Sequence, residues 1–332
     1  MCKQRVTIMH NDAGGVNMKI FVTGATGFVG MHVTNDLLAR GFSVYAGARD
    51  VAKVDRIFGE CVVPVEVDFN YKHSINRALM SIRPDVVVHL IGIIAEMPSK
   101  GTTFDNVHVR IPIDLYEASK QVGVRKVVHM SALGVHPDAP SRYHKSKFRA
   151  EQVLRSSGMT YTIFRPSFII GPEQKLFSDM KNITAMVPVV ALPAGGRHLM
   201  QPVDVRDVAC VFASAVTKSE TDNKVYELCG PDVISLRKML EAAFAIWKKR
   251  VLYLNVPKSM MALVGRVAES IMENAPVTCD LMRMMWKDNV CGLYGDSQQD
   301  GVRAVCSSEP VPFAESIKWS LGQQEKNVGA GL

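Results

Sequence analysis

The sequence predicts an α/β fold, in which a doubly wound parallel sheet is accompanied by a smaller C-terminal α/β region. Short apolar runs alternate with helical patterns through the first half of the chain. The runs are almost continuously apolar, as DVVVHLIGI at positions 85–93 shows, which is typical of strands covered on both faces. A glycine-spaced turn also joins the first run directly to the first helical pattern. Such alternation builds right-handed strand–helix–strand units.

Six strands are predicted before residue 166, with helices between most of them. The strands are Lys19–Thr23, Ser43–Gly47, Val62–Val67, Asp85–Ile91, Lys126–Met130 and Thr160–Arg165. The helices are Phe28–Arg40, Ile75–Ser81, Ile111–Val122 and Lys145–Ser156. These elements together would form the sheet and its covering layers.

Beyond residue 166 a proline-punctuated stretch precedes a strand at Lys224–Cys229 and a helix at Ser235–Lys248, for which Ser235 is a suitable N-cap. We expect the strand to return to the main sheet. The main domain would then comprise residues 18–170 and about 203–230. The smaller domain would comprise about 171–202 and 231–320, between a disordered extension at 1–17 and a tail at 321–332.

The composition is that of an ordinary globular protein, with 47% hydrophobic and 21% charged residues in 332. The net charge of +7 is carried without a dense Lys/Arg run, which argues against nucleic acid as a partner. A polyanionic cofactor or an acidic membrane surface would be attracted by this excess of positive charge. The chain lacks an apolar run of transmembrane length and a secretory signal, so we expect a cytoplasmic location, or a peripheral one on the inner face of a membrane.

The seven cysteines contain no CxxC pair and have no histidine at zinc-finger spacing, so no metal site is expected. Their number is odd and the chain is long, which makes a disulfide scaffold improbable. Reduced thiols fit this pattern best.

The segment KIFVTGATGFVG at positions 19–30 has the form of a phosphate-binding turn. Gly24 allows a tight turn, Gly27 lets backbone N–H groups approach a diphosphate, and Gly30 lets the helix pack close to the sheet. The start of the helix adds free N–H groups and the positive end of its dipole. A dinucleotide is therefore the predicted ligand of a Rossmann-type domain, and Thr26, Phe28 and Val29 complete its loop.

The end of the second strand bears on which dinucleotide is bound. NAD-selective sites place a carboxylate there for the ribose hydroxyl, but this chain has Ala48 followed by Arg49. A guanidinium can pair with a 2′-phosphate, so NADP(H) is preferred and NAD(H) is the alternative. Asp50 could cap the next helix. Asp68, at the end of the third strand, is either a contact for the adenine edge or a turn residue.

The segments TGATGFVG, DVVVHLIGI and SRYHKSK together resemble the short-chain dehydrogenase/reductase superfamily in its extended, atypical branch, over roughly residues 18–230. The chain is most similar to the atypical subfamily that includes the nucleotide-binding accessory subunit of respiratory complex I. The resemblance implies that Tyr143 acts as acid/base. It also implies that Lys147 lowers the tyrosine pKa and binds the nicotinamide ribose. By position, the cofactor would be lined further by Leu90, Ile91, Gly92, Ser131, Pro166 and Ser167.

Two departures from the active pattern stand beside this resemblance. The catalytic hydroxyl follows the fifth strand, where Ser131 is one position early in one register and Ala132 then occupies the slot. In the alternative register Ser131 is the catalytic hydroxyl. His108 takes the place of an asparagine that extended members often carry, and is either a pocket residue or a satisfied core histidine.

Three functions remain open on these residues. The chain could hold NADP(H) as a structural or sensing cofactor while docked on a large assembly such as a respiratory complex, with weak or no turnover. The Met-rich stretch Lys258–Met272 could then contact a partner or a membrane surface. Alternatively, Tyr143 and Lys147 could serve an oxidoreductase acting on a carbonyl or alcohol. A nucleotide-sugar epimerase or dehydratase is the third reading.

Overall fold

The core of the structure, a computed structural model, is a seven-stranded parallel sheet of order β11-β6-β5-β4-β1-β2-β3. The structure describes residues 18–257, 259–261, 278–285, 287–293, 295 and 297–329. The sheet strands are β1 (Lys19–Thr23), β2 (Ser43–Ala48), β3 (Val63–Glu66), β4 (Val86–His89), β5 (Lys126–Met130), β6 (Thr160–Pro166) and β11 (Lys224–Leu228). The order reverses between β1 and β4, which opens a crevice at their carboxyl ends where ligands of such sheets bind.

Helices cover both faces of the sheet. One face carries α1 (Phe28–Ala39), α2 (Val51–Phe58), α7 (Val205–Ala215) and α10 (Gly301–Cys306). The other carries α3 (Lys72–Ile82), α4 (Ile111–Gln121) and α5 (Arg142–Ser156), and a π-helical segment, Asp105–Arg110, leads into α4. The predicted doubly wound architecture is confirmed.

A third hydrophobic cluster lies beside the main sheet. It is built mainly from α6 (Lys175–Met186), β8 (Val189–Pro193), α8 (Leu236–Ile246) and α11 (Phe313–Gly329). The remaining short elements are β7 (Ile169–Ile170), β9 (Leu199–Met200), β10 (Val203–Asp204), β12 (Ile234–Ser235), β13 (Leu252–Val256) and α9 (Cys279–Met285). This cluster draws on residues of the predicted smaller domain, whereas α10 packs against α7 on the main sheet.

Local sequence signals fix several element ends. Ser235 accepts a hydrogen bond from the Lys238 amide at 3.2 Å, which confirms it as the N-cap of α8. Asp50 does the same for α2 through the Lys53 amide at 3.1 Å. The strand at 224–228 pairs in parallel with β6, as expected.

The expectation of reduced thiols is wrong for four cysteines. Cys210 is bonded to Cys306, and Cys229 to Cys291. The paired residues are 96 and 62 positions apart, so their proximity is created by the fold and has no signature in local spacing.

Two predictions concern residues outside the described part of the chain: the extension at 1–17 and nearly all of Lys258–Met272. Among the helices that the structure describes, none has the length and apolar character needed to cross a bilayer.

Candidate functional site

The turn between β1 and α1 has the backbone geometry of a phosphate cradle. Gly24 adopts a φ of +74°, a conformation that favours glycine, and its carbonyl accepts the Gly27 amide at 3.0 Å. A Cβ on Gly30 would overlap the Gly24 carbonyl oxygen. No side chain caps α1 at Gly27, and its first turn contains no acidic residue. The free amides at this helix start, at Phe28 and Val29 beside Thr26, therefore fit a diphosphate.

The end of β4 closes on the cradle from the side. A Cβ on Gly24 would lie 3.1 Å from both the carbonyl carbon of Leu90 and the amide nitrogen of Ile91. A Cβ on Gly92 would lie 3.1 Å from the Lys147 ammonium. Gly24 and Gly92 thus leave room for an extended dinucleotide between the cradle and Lys147.

At the end of β2, Arg49 is exposed, and within the described residues no carboxylate pairs with it. Asp50 is committed to capping α2. Asp68 accepts the Asn70 amide at 2.9 Å, so its carboxylate also shapes a turn. The guanidinium of Arg49 is the group left free at this corner to receive an anion.

Tyr143 and Lys147 lie one turn apart near the start of α5. The Lys147 ammonium is buried and donates to the Met130 carbonyl at 3.0 Å. Burial lowers the pKa of Lys147 to about 8, against the opposing charge of Glu151. Burial raises the pKa of Tyr143 to about 12, and its hydroxyl has no hydrogen-bond partner among the described residues. The phenol is thus held in its neutral form.

His108 projects from the π-helical segment against Tyr143, with ring centroids 5.5 Å apart. Its Nε2 accepts the Ile93 amide at 3.0 Å, so Nδ1 carries the proton and donates to Ser146 Oγ at 2.8 Å. Ser146 in turn donates to the Tyr143 carbonyl at 2.7 Å. Burial, with the nearby positive charge of Lys147, lowers the pKa of His108 to about 2. Both ring nitrogens are therefore satisfied in a neutral imidazole that supports Tyr143.

Ser131 makes no hydrogen bond to Tyr143 or Lys147 within the described part of the chain. Its hydroxyl donates to Glu151 Oε1 at 2.5 Å, in a fully buried group that also contains Arg165. Arg165 donates to the same carboxylate through Nε at 2.9 Å and Nη2 at 2.7 Å. Ala132, the next residue, is buried. The serine hydroxyl is therefore used to complete a charge cluster under the site.

Histidines also line the sheet beneath Lys147. His89 Nδ1 lies 2.8 Å from the Thr23 hydroxyl, and His129 Nδ1 lies 2.9 Å from the Tyr116 hydroxyl. The two rings stack with centroids 5.4 Å apart. Burial, reinforced by the charge of Lys147, lowers the pKa of His89 to about 3. These two imidazoles beneath Lys147 are therefore polar but uncharged.

Sequence reasoning missed the C-terminal strap, which we define as residues 279–285 and 287–293. Asp280 accepts the amides of Arg142 at 2.7 Å and Tyr143 at 3.0 Å in the first turn of α5, whose N-cap is Ser141. Asn289 Oδ1 accepts the Ser167 hydroxyl at 2.5 Å. These contacts span more than a hundred positions of sequence, so no motif spacing could have shown them.

The strap forms one wall of a small cleft of about 40 Å³ at the carboxyl end of β5. Leu133, Gly134 and His144 line the opposite wall, and Arg283, Lys287 and Asn289 project from the strap. Ser167, predicted to lie at the nicotinamide end, is therefore held by the strap. Pro166, its neighbour, ends β6.

Comparison with known proteins gives relatives of two kinds. A mitochondrial NADH dehydrogenase [ubiquinone] 1 alpha subcomplex subunit 9 from Arabidopsis thaliana is 26% identical over 283 residues, covering 83% of this chain and 69% of the relative. An NAD(P)H azoreductase from Xenophilus azovorans is 26% identical over 302 residues, covering 90% of this chain and 96% of the relative.

Among solved structures, an NADPH-dependent quinone oxidoreductase from Escherichia coli complexed with NADPH has a TM-score of 0.71 at 20% identity. It covers 90% of this chain and 98% of its own. At this sequence identity, the likeness shows that the two proteins share a fold. The sequence profile of the NAD dependent epimerase/dehydratase family matches residues 20–229, from β1 to the end of β11. The chain belongs to the NAD dependent epimerase/dehydratase family.

Proposed function

We propose that the chain binds NADP(H) as a structural or sensing cofactor and turns it over slowly or not at all. The observation that carries this proposal is the commitment of the Ser131 hydroxyl to Glu151, with Ala132 next along the chain. A substrate oxygen above Tyr143 would then lack its second hydroxyl donor. The raised pKa of Tyr143 further opposes its use as a base near neutral pH.

The residues present fit the cofactor, which supplies hydride chemistry when bound. The α1 amides would hold the diphosphate, Lys147 would reach the nicotinamide ribose, and Gly92 would leave room between them. Arg49 is the basis for preferring NADP(H), because a free guanidinium can form paired hydrogen bonds with a 2′-phosphate. NAD(H) binding at lower affinity is compatible with the same cradle.

Calorimetric titration of the purified chain with NADPH and NADH tests this assignment. We expect the Arg49→Ala variant to bind NADPH about tenfold or more weakly, as loss of a charge-assisted pair implies, and to bind NADH unchanged. Arg56→Ala removes another exposed arginine, in the last turn of α2, and should bind like the unmodified protein. Equal affinities for NADPH and NADH in every variant would reject the NADP(H) preference.

We also propose that the chain docks on a larger protein assembly, as the names of the respiratory-chain relatives suggest. An apolar face on α6, β8 and β13 supports this. Met186 is 87% exposed and Leu252 is 60% exposed, and Val187, Ile183 and Leu254 are exposed as well. The Leu252 amide donates to the Pro188 carbonyl at 2.9 Å, which joins the start of β13 to the end of α6. Large exposed apolar patches of this kind usually mark interaction sites. Peripheral membrane contact and the cytoplasmic location stay predictions.

Replacing Met186 and Leu252 with glutamate tests the docking proposal. The altered chain should be lost from large complexes on native gels of its source cells while still binding NADPH in isolation. Retention in the same complexes would exclude this face. Recovery of the unmodified chain with lipid vesicles but with no protein complex would favour a membrane surface instead.

A second candidate function is an oxidoreductase, favoured by the retention of Tyr143 and Lys147 on one face of α5 and by the azoreductase relative. Steady NADPH consumption with quinone, azo or carbonyl compounds, abolished in Tyr143→Phe, would establish it. A nucleotide-sugar epimerase or dehydratase is a weaker hypothesis than the oxidoreductase. Its support is the family profile.

A further inference from the structure

The strap is tied covalently to the main sheet through the disulfide between Cys229 and Cys291. Cys229 directly follows β11 and is buried, whereas Cys291 is partly exposed. Since the strands of the sheet are parallel, β11 ends at the same edge as β4 and β5. The disulfide therefore lies on the edge of the molecule that carries the cofactor cradle and Tyr143.

Hydrogen bonds continue the attachment on both sides of Cys291. Asn289 donates its amide to Leu199 at 2.8 Å and accepts the Gln201 amide at 2.9 Å. Gly292 donates its amide to the buried Glu227 carboxylate at 2.7 Å. These bonds hold Asn289 beside β9 and Gly292 beside β11, but each can exchange with water once the chain is released. The disulfide is the attachment that a change of solvent cannot break.

Closing or releasing the strap would alter the site in two ways. Residues Arg283, Lys287 and Asn289 form a wall of the cleft at the end of β5. Asp280, at the other end of the strap, accepts the amide of Tyr143 in the first turn of α5. A strap that lifts would widen the cleft and break this bond at the same time.

We propose that Cys229 and Cys291 form a redox site that controls access to the dinucleotide. As a disulfide, the pair holds the strap against the sheet and slows dinucleotide exchange. As two thiols, the pair releases the strap and speeds exchange. The effect on the dinucleotide rests on the proposed function, whereas the effect on the strap does not.

The reaction is a thiol–disulfide exchange with a dithiol reductant. A thiolate of the reductant attacks Cys291 Sγ, which is the more accessible sulfur, and the bond between the two cysteine sulfurs breaks. The second thiol of the reductant then displaces the protein sulfur. The reductant leaves as a disulfide, and two electrons and two protons end on Cys229 and Cys291.

The second disulfide provides an internal control. Cys210 on α7 is bonded to Cys306 on α10, and both helices pack on the face of the sheet that carries α1. Neither residue lines the cleft or contacts the strap residues described above. Its reduction should leave the strap in place.

The test compares oxidised protein with protein treated with dithiothreitol, for the unmodified chain, Cys291→Ser, Cys229→Ser and Cys306→Ser. Hydrogen exchange of amides 287–292 is measured without cofactor. NADPH dissociation is measured by fluorescence on dilution into excess unlabelled NADP. Circular dichroism confirms that each variant is folded.

In the unmodified chain and Cys306→Ser, reduction should speed strap exchange and NADPH dissociation by about tenfold or more, because a cross-link restricts the opened states. Cys291→Ser and Cys229→Ser should be fast with and without reductant. An unchanged exchange rate on reduction, or loss of the response in Cys306→Ser, would overturn the redox site. Absence of NADPH binding in every sample, with strap exchange still responding, would instead reject the proposed function.

Discussion

The buried hydrogen bond from Ser131 to Glu151 separates a structural serine from a catalytic one. Removing the hydroxyl in Ser131→Ala should lower the free energy of unfolding by about 2 kcal/mol, since hydrogen bonds to a charged acceptor contribute roughly 1.5–3 kcal/mol. The expected loss does not exceed this range, because Arg165 still donates to both oxygens of Glu151 and the buried carboxylate keeps its partner. The alanine also leaves little cavity, as one oxygen atom is lost.

Urea unfolding followed by circular dichroism measures this change, together with NADPH affinity. Ser156→Ala is the control. This exposed serine lies on α5, the helix that carries Glu151, and donates to a backbone carbonyl. Its removal should shift the free energy of unfolding by less than about 0.5 kcal/mol. NADPH affinity should be unchanged in both variants. Unfolding of Ser131→Ala that matches the unmodified chain, together with loss of a measurable carbonyl reduction, would refute the structural role of Ser131.

Three further predictions follow from the site. Lys147→Met should raise the free energy of unfolding at neutral pH by as much as about 3.5 kcal/mol, since the native pKa of about 8 lies below the ordinary 10.5 and a pKa unit is about 1.4 kcal/mol. The variant should bind NADPH more weakly, and unchanged stability in urea would contradict the buried charge. Asp280→Ala should leave the amides of Arg142 and Tyr143 without their acceptor and cost about 1 kcal/mol in thermal or urea unfolding, with Asp138→Ala, an exposed aspartate nearby, as the control. The lowered pKa values of His89 and His108, about 3 and about 2 against 6.5, mean that the native state binds fewer protons than the unfolded state. Their contribution to stability is therefore complete above pH 6.5 and lost as the pH falls below it, at about 1.4 kcal/mol per imidazole and pH unit. His108→Gln should make the pH dependence of urea unfolding shallower by about that amount, and an unchanged slope would exclude the buried neutral imidazole.

The strands and the phosphate turn could be predicted from sequence because each depends on local pattern. β1, β5 and the start of β6 coincide with the predicted runs. Gly24 and Gly30 could be recognised from their neighbours in sequence, because the turn leads directly from β1 into α1. Asp50 and Ser235 could be identified as caps for the same reason.

The contacts that decide the chemistry are long-range and could not be predicted. Whether Ser131 faces the substrate depends on Glu151 and Arg165, which the fold brings to it from other elements. The role of His108 depends on a π-helical turn and on the amide of Ile93. No periodicity in the sequence distinguishes these arrangements from the alternatives.

The C-terminal contacts show the same limit more strongly. Asp280 lies 137 positions from Tyr143 and still accepts its backbone amide. The odd number of cysteines and the length of the chain predict reduced thiols, yet the packing of α10 on α7 brings two of them together. Long-range pairing of this kind is set by the tertiary structure.

A chain that holds NADP(H) without turning it over should keep bound NADPH reduced in the presence of substrates. The most direct measurement is the absorbance of a stoichiometric NADPH complex, followed over hours with a panel of quinones, azo compounds and carbonyls. We predict that the bound NADPH stays reduced and can be recovered intact after denaturation. Repeated oxidation of added NADPH with any of these compounds, lost in Tyr143→Phe, would contradict this and identify the chain as an enzyme.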